Sequence, residues 1–225
     1  YINNLDLSYN PSKGYYASER LTWAGFLPVE TQQYFKTDTK VEGYATLFSI
    51  PVFENWNWKI VLGAHAGFSA LLAKPGTALA VTDDWLSLDG TFNARGWNVL
   101  YGLQGVGMWE NWVELRMPIF EQFLWLDGFF DAAALQTQGG LVNMNGRSTD
   151  AVAFSVPYSD SARPSFSGLG WDNVAMSLGF GFRFAIQQFP FRFYFARRFV
   201  FDGSTIDWKT KNGLDLVISI TQALN

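Results

Sequence analysis

From Val174 to Ile186 the bulky apolar side chains fall on every second residue: Val174, Met176, Leu178, Phe180, Phe182, Phe184 and Ile186. Between them stand Ala175, Ser177, Gly179, Gly181, Arg183 and Ala185. Successive side chains of a strand point to opposite faces, so this period makes a strand with one bulky face and one small face. A helix would spread the same residues around its whole circumference. The pattern returns at Phe191, Phe193 and Phe195 against Arg192, Tyr194 and Ala196. It returns again at Leu214, Leu216, Ile218 and Ile220 against Asp215, Val217, Ser219 and Thr221. The chain reads as all-β.

Alternation serves a soluble β-sandwich as well as a membrane barrel, and the second face separates the two. A sandwich buries its bulky face in a core about 10 Å thick and turns a charged, Thr-rich face to water. Here the second face is mostly Gly, Ala and Ser with isolated charges, which suits a crowded or water-filled lumen, while the Phe-rich face suits lipid. Backbone groups in hydrocarbon must all be paired, so strands cross a membrane only by closing into a barrel. Composition points the same way: charged residues are 16% and aromatics 18% of the chain, where soluble proteins carry about 25% charged residues. The expected fold is an antiparallel transmembrane β-barrel, with a soluble β-sandwich binding module as the alternative. A transmembrane helix needs roughly 18 or more apolar residues. The best candidate, Ile60 to Ala73, is too short and contains His65.

The residue inventory removes most chemistry. With 16 basic and 20 acidic side chains the net charge is −4, so no basic footprint for nucleic acid is expected. There are no cysteines and one histidine, which excludes disulfides, a thiolate nucleophile, Cys-based metal sites and any two-His site. A Ser-His-Asp triad would need His65. That residue falls on a small strand face with Gly63, Gly67 and Ser69, and reads as a lumen hydrogen-bonding group. Gly102, Gly105 and Gly107 lack a phosphate-loop spacing. Asp83, Asp84 and Asp89 do not match a calcium loop and read as solvated loop acids. No enzyme, cofactor or metal is expected.

Strands are expected at 1–9, 15–26, 38–50, 57–72, 104–118, 122–135, 173–187, 190–201 and 212–223. Short connections at Asn10–Gly14, Pro51–Trp56, Ile119–Glu121 and Gln188–Phe189 alternate with longer ones, of which 73–103 and 136–172 are the longest. Short turns on one side and long loops on the other is the layout of outer-membrane barrels. All of 1–225 is read as one barrel segment, with 73–103 and 136–172 as extracellular loops. Nine is an odd number, and single-chain bacterial barrels usually have an even one. Either 1–9 is not a full strand, leaving eight, or the chain is the C-terminal part of a larger barrel. The first ten residues, with Asn3, Asn4, Asp6 and Asn10, do not read as a signal peptide.

Five short motifs follow one another in order. Asn93-Ala94-Arg95-Gly96-Trp97 lies in the long loop, and Asn111-Trp112-Val113-Glu114-Leu115-Arg116-Met117-Pro118 on the next strand. Then come Phe129-Phe130-Asp131, Ser177-Leu178-Gly179-Phe180-Gly181 and Pro190-Phe191-Arg192. In this order and spacing the set resembles the C-terminal barrel of the BamA/TamA outer-membrane assembly family, the bacterial surface antigen superfamily. The resemblance covers essentially the whole chain and implies the C-terminal half of a 16-stranded barrel. It implies that Arg95 lies at the tip of a loop folded back into the lumen, reaching Asp131 and Phe129, with Glu114 or Arg116 nearby. Strand alternation agrees, since Val113, Leu115, Met117 and Phe130 on the lipid face leave Glu114, Arg116, Phe129 and Asp131 inside. Gly96 fits a tight loop tip. The sequence departs from the family pattern at Ala94, where Val or Ile is usual, and at Ala133, where glycine is expected. Its end, Leu224-Asn225, lacks the common terminal aromatic.

Lys211-Asn212-Gly213-Leu214-Asp215-Leu216-Val217-Ile218 looks like the targeting signal of outer-membrane barrels, and reads equally as an amphipathic closing strand. Gly213, Leu216 and Ile218 mark this terminal, seam-forming strand. The resemblance implies localisation in the outer membrane and a role in folding and inserting other barrels. The route would be a weakly paired lateral seam and a locally thinned bilayer. Implied partners are outer-membrane lipids, unfolded outer-membrane proteins and accessory assembly lipoproteins. A passive channel or a two-partner secretion translocator is the alternative of a different class.

Overall fold

The computed structural model describes residues 1–25, 27, 32–53, 56–75, 85–100, 102–120, 123–145, 163–186, 191–210 and 213–220. In chain order the strands are β1 (Ile2–Asn3), β2 (Gly14–Ala24), β3 (Tyr34–Phe53), β4 (Trp56–Ala73), β5 (Gly105–Phe120) and β6 (Leu124–Thr137). They continue with β7 (Gly140–Leu141), β8 (Ala175–Phe184), β9 (Phe191–Phe201), β10 (Ile206–Trp208) and β11 (Asp215–Ile220). All pairings are antiparallel, in the order β1-β2-β3-β4-β5-β6-β8-β9-β10, with β11 also on β9 and β7 on β6. The fold is an all-β, barrel-type antiparallel sheet. Among the described residues no pairing joins the β1–β2 edge to the β10–β11 edge, so the sheet is not closed.

The two faces are those the alternation demands. Val113, Leu115, Phe130, Leu178, Phe180, Leu216 and Ile218 are exposed on the outer wall. Glu114, Arg116, Phe129, Asp131, Ser177, Arg183 and Tyr194 are buried on the inner one. Small residues on the inner face make room for large neighbours. A Cβ on Gly179 would lie 2.1 Å from the Phe195 carbonyl oxygen and 2.8 Å from the Phe129 ring.

Several boundaries differ from expectation. Of the expected strand 1–9 only Ile2–Asn3 is a regular strand, followed by two backbone bonds, from the Asn4 amide to the Tyr15 carbonyl at 2.9 Å and from the Asp6 amide to the Lys13 carbonyl at 3.1 Å. From Asp6 on, its carboxylate gathers the Leu7, Ser12 and Lys13 amides at 3.0, 2.8 and 3.1 Å, which closes a loop over 7–12. The third strand runs four residues further toward the N-terminus than expected, to Tyr34, because Phe35 and Lys36 keep pairing with both neighbours. The expected loop 202–211 contains β10, so two short strands follow one another along β9 in place of one. Gln188–Phe189, Asp83, Asp84, Pro190, Lys211, Asn212 and Leu224-Asn225 lie outside the described residues.

The main hydrophobic core sits inside the curve of the sheet, at the end of the long loops. Leu86, Leu88, Ala94, Trp97, Leu100 and Leu103 from the 85–103 segment pack on Leu71, Val106, Met108, Ala133, Leu135 and Val200 of the wall. The segment after 163 takes a different course. Phe166 packs against Phe68 of the outer face at 5.7 Å between ring centroids, and Gln136 receives the Ser165 and Phe166 amides at 2.8 and 3.1 Å.

Candidate functional site

The 85–103 segment folds inward on local hydrogen bonds. One Asp89 carboxylate oxygen accepts the amides of Thr91, Phe92 and Asn93 at 2.7, 2.8 and 3.3 Å, and the Asp89 amide donates to Asn93 Oδ1 at 2.7 Å. Asp89 is thus a loop-building group, where the sequence suggested a solvated one. Ala94 and Gly96 both take positive φ, +48° and +88°. A β-branched residue is strongly disfavoured there, which accounts for Ala94 on conformational grounds. Trp97 then plunges into the core, fully buried, and its indole donates to the Met176 carbonyl at 2.9 Å.

This turn delivers Arg95 to the inner wall. Its backbone amide and Nε donate to Asp131 Oδ2 at 2.9 and 2.8 Å, and Nη2 donates to Asp131 Oδ1 at 2.5 Å. Nη1 donates to Glu114 Oε1 at 2.6 Å. The guanidinium carbon lies 3.8 Å from the Phe129 ring centroid and 4.6 Å from that of Tyr194, an aromatic seat suited to a planar cation. Glu114 Oε2 accepts Arg116 Nε and Nη2 at 2.8 and 2.6 Å and Arg183 Nη2 at 2.8 Å. Arg183 Nε donates to Asp127 Oδ2 at 2.8 Å. These side chains are nearly inaccessible, so each charge depends on its partners; stripping one partner from such a buried pair costs about 3–5 kcal/mol. The bidentate forks add geometric specificity to the charge.

The structure therefore brings together Arg95, Gly96, Trp97, Glu114, Arg116, Phe129 and Asp131. The Gly96 Cβ position is 3.1 Å from Ala196 Cβ, so the loop tip rests on β9. Asp127, Arg183 and Tyr194 belong to the same network and were not anticipated. Their signals were in the sequence: Arg183 is the charged exception on a Gly/Ala/Ser face, and Asp127 precedes Asp131 by four positions on the same face. His65 is apart from it, stacked on Trp112 at 5.4 Å between Glu42 and Glu110, at 3.3 and 3.4 Å.

The terminal strand pairs with β9 in two registers. Trp208 pairs with Phe199 and Asp215 with Ala196, seven residue steps against three. The Lys209 amide still donates to the Arg198 carbonyl at 2.9 Å, and Gly213 has φ +82°. At this break side chains also bond across: the Arg198 amide donates to Thr210 Oγ1 at 3.0 Å and Arg198 Nε to Asp215 Oδ2 at 2.8 Å. Beyond the break Leu216 and Ile218 are 58% and 55% exposed, while Val217 packs with Phe129, Tyr194 and Ala196.

Residues 1–219 match the Omp85 superfamily domain. The chain belongs to the Omp85 superfamily. It is similar to a Treponema pallidum (strain Nichols) protein named "Putative outer membrane protein assembly factor", with 33% identity over 228 residues and 98% of this chain covered. The match spans 26% of that protein's length, so this chain corresponds to about a quarter of its relative. It is an Omp85 protein of the BamA type, and its barrel-type wall is one of the outer membrane.

Proposed function

We propose that this Omp85 chain serves the assembly of outer-membrane proteins, folding and inserting barrel proteins at a lateral seam. The observation that carries the reading is the match to the assembly-factor relative along nearly the whole chain. The edge position of β11 supports it. Among the described residues β11 pairs only with β9, so its other edge offers main-chain groups to an incoming strand, and such augmentation gains affinity from backbone hydrogen bonds. In this reading 1–225 is one segment of a 16-stranded barrel, with 73–103 and 136–172 outside the cell. Arg95, held by Asp131 and Glu114, locks the long loop in the lumen. Unfolded outer-membrane proteins are the substrates, lipids thinned near the seam lower the insertion barrier, and accessory lipoproteins assist. No bond is made or broken, so no catalytic residue or cofactor is assigned.

The core of loop residues packed inside the sheet weighs against a passive channel, since Leu88, Trp97 and Leu100 occupy space a conduit would need. The test is a folding assay with the intact protein in lipid vesicles, read by the rate at which an unfolded barrel substrate becomes protease-resistant, alongside single-channel conductance. Acceleration above empty vesicles is the expected result. Steady conductance without acceleration would contradict the assembly reading and favour the channel.

A further inference from the structure

Arg183 and Arg192 stand directly opposite each other across β8 and β9, both on the inner face. Like charges at paired positions work against the pairing. Arg183 is answered by Asp127 and Glu114. Arg192 is not: its Nε is buried without a partner, and no carboxylate among the described residues pairs with it. Arg116 and Arg183 each keep one further buried nitrogen, Nη1, unbonded. Around Glu114, Asp127 and Asp131 the guanidiniums of Arg95, Arg116 and Arg183 are each bonded to a carboxylate, and that of Arg192 is not. Arg116, Arg183 and Arg192 all line one cavity of about 550 Å³ inside the curve of the sheet. Its other charged lining residues are Arg20, Lys40, Asp38, Glu42, Asp89 and Glu110; Glu42 and Glu110 are turned to His65 at 3.3 and 3.4 Å, and Asp89 to its own loop amides.

We propose that Arg192, backed by Arg183 and Arg116, binds a carboxylate anion that enters this cavity from water. A guanidinium fork matches a carboxylate bidentately, and both oxygens of Glu114 and of Asp131 are already bonded to the other three arginines, while Asp127 bonds Arg183 through Oδ2 and keeps Oδ1 free. An incoming carboxylate pairs with Arg192 and screens Arg183 from it. This site is independent of the assembly reading, because it follows from the β8–β9 register and the unbonded arginine nitrogens alone.

Thermal unfolding of the intact protein in detergent micelles tests it, titrating sodium acetate against sodium chloride at matched ionic strength. The melting temperature should rise saturably with acetate and not with chloride. Arg192→Gln should lose the acetate response and melt higher than wild type in chloride alone, because the like-charge opposition is gone. Arg192→Lys keeps the charge without the fork and should show a weakened response. Arg197→Gln removes the same charge from the outer face of the same strand and should respond as wild type does. No acetate-specific rise in wild type, an undiminished rise in Arg192→Gln or Arg192→Lys, or a response to inorganic phosphate with none to acetate would overturn the assignment. If Arg192→Gln fails to fold, the wild-type titration and the lysine variant still decide.

Discussion

At the scale of single residues, the inner wall is held by charges with few alternatives to their present partners. Asp131 receives three hydrogen bonds from Arg95, so Asp131→Ala leaves a buried guanidinium with Glu114 alone. A loss of about 3–5 kcal/mol is expected, read as a shifted denaturant midpoint in micelles; a change within error would mean water replaces the carboxylate. Arg95→Glu sets a third carboxylate beside Asp131 and Glu114, and should make the 85–103 segment more susceptible to limited proteolysis than in wild type. Outside the strands, Asp202 accepts the Thr205 amide and hydroxyl and the Ser204 amide and hydroxyl, all at 2.7 to 2.9 Å. These donors hold its carboxyl well below the ordinary carboxylate range. A depressed value means that the turn's stabilisation is present above the ordinary carboxylate range and is lost only as pH falls through the lowered one. NMR titration should find the Asp202 side chain ionised at pH values where free aspartate is half protonated, and Asp202→Asn should speed exchange of the Ser204 and Thr205 amides. Asp131 was legible from strand parity, and Arg95 from the resemblance of its motif to that of the family. The pairing of Asp127 with Arg183 was not, since it depends on the β6–β8 register, which sits Asp127 opposite Gly181 and next to the Arg183 row.

Among the strands and loops, period-two patterning predicts existence and facing well, and boundaries less well. The run from 174 to 186 became β8 with Leu178 and Phe180 outward, as alternation requires. The short β10 was hidden because Ile206-Asp207-Trp208 is too brief to show a period, and the break after it is stabilised by the side chains of Thr210 and Asp215. The 1–9 segment stops pairing after Asp6 because its carboxylate gathers its own loop, a local hydrogen-bonding choice that outcompetes a longer ladder. Facing can be tested by one substitution on each side of β8. Phe180→Arg puts a charge on the outer wall and should cost about 2–4 kcal/mol if that position lies near the bilayer midplane. Gly179→Ala acts from the inner side: its Cβ would meet the Phe195 carbonyl and the Phe129 ring, and overpacking of this kind typically costs about 1–3 kcal/mol. Both are read by unfolding in vesicles. A neutral Phe180→Arg would mean that the position is wet.

For the whole molecule, the account rests on an outer wall that touches acyl chains and an inner wall that does not. Fold class was readable because hydrophobic parity is a global constraint: a one-residue slip would turn every strand inside out; the inward course of the long loop came only from the family resemblance. The position of residues 163–170 against the outer face was not readable, since nothing in Pro164-Ser165-Phe166 marks which wall it will meet. The natural absence of cysteine makes single-site spin labelling clean. The most direct measurement attaches a nitroxide to Cys at each of positions 176 to 182 in turn, in the protein folded into lipid vesicles. Collision with membrane-dissolved oxygen is then compared with collision with a water-soluble nickel chelate. The account predicts a two-residue oscillation, with oxygen maxima at 178, 180 and 182 and minima between them. Uniform access along the stretch, or chelate maxima at 178 and 180, would contradict it.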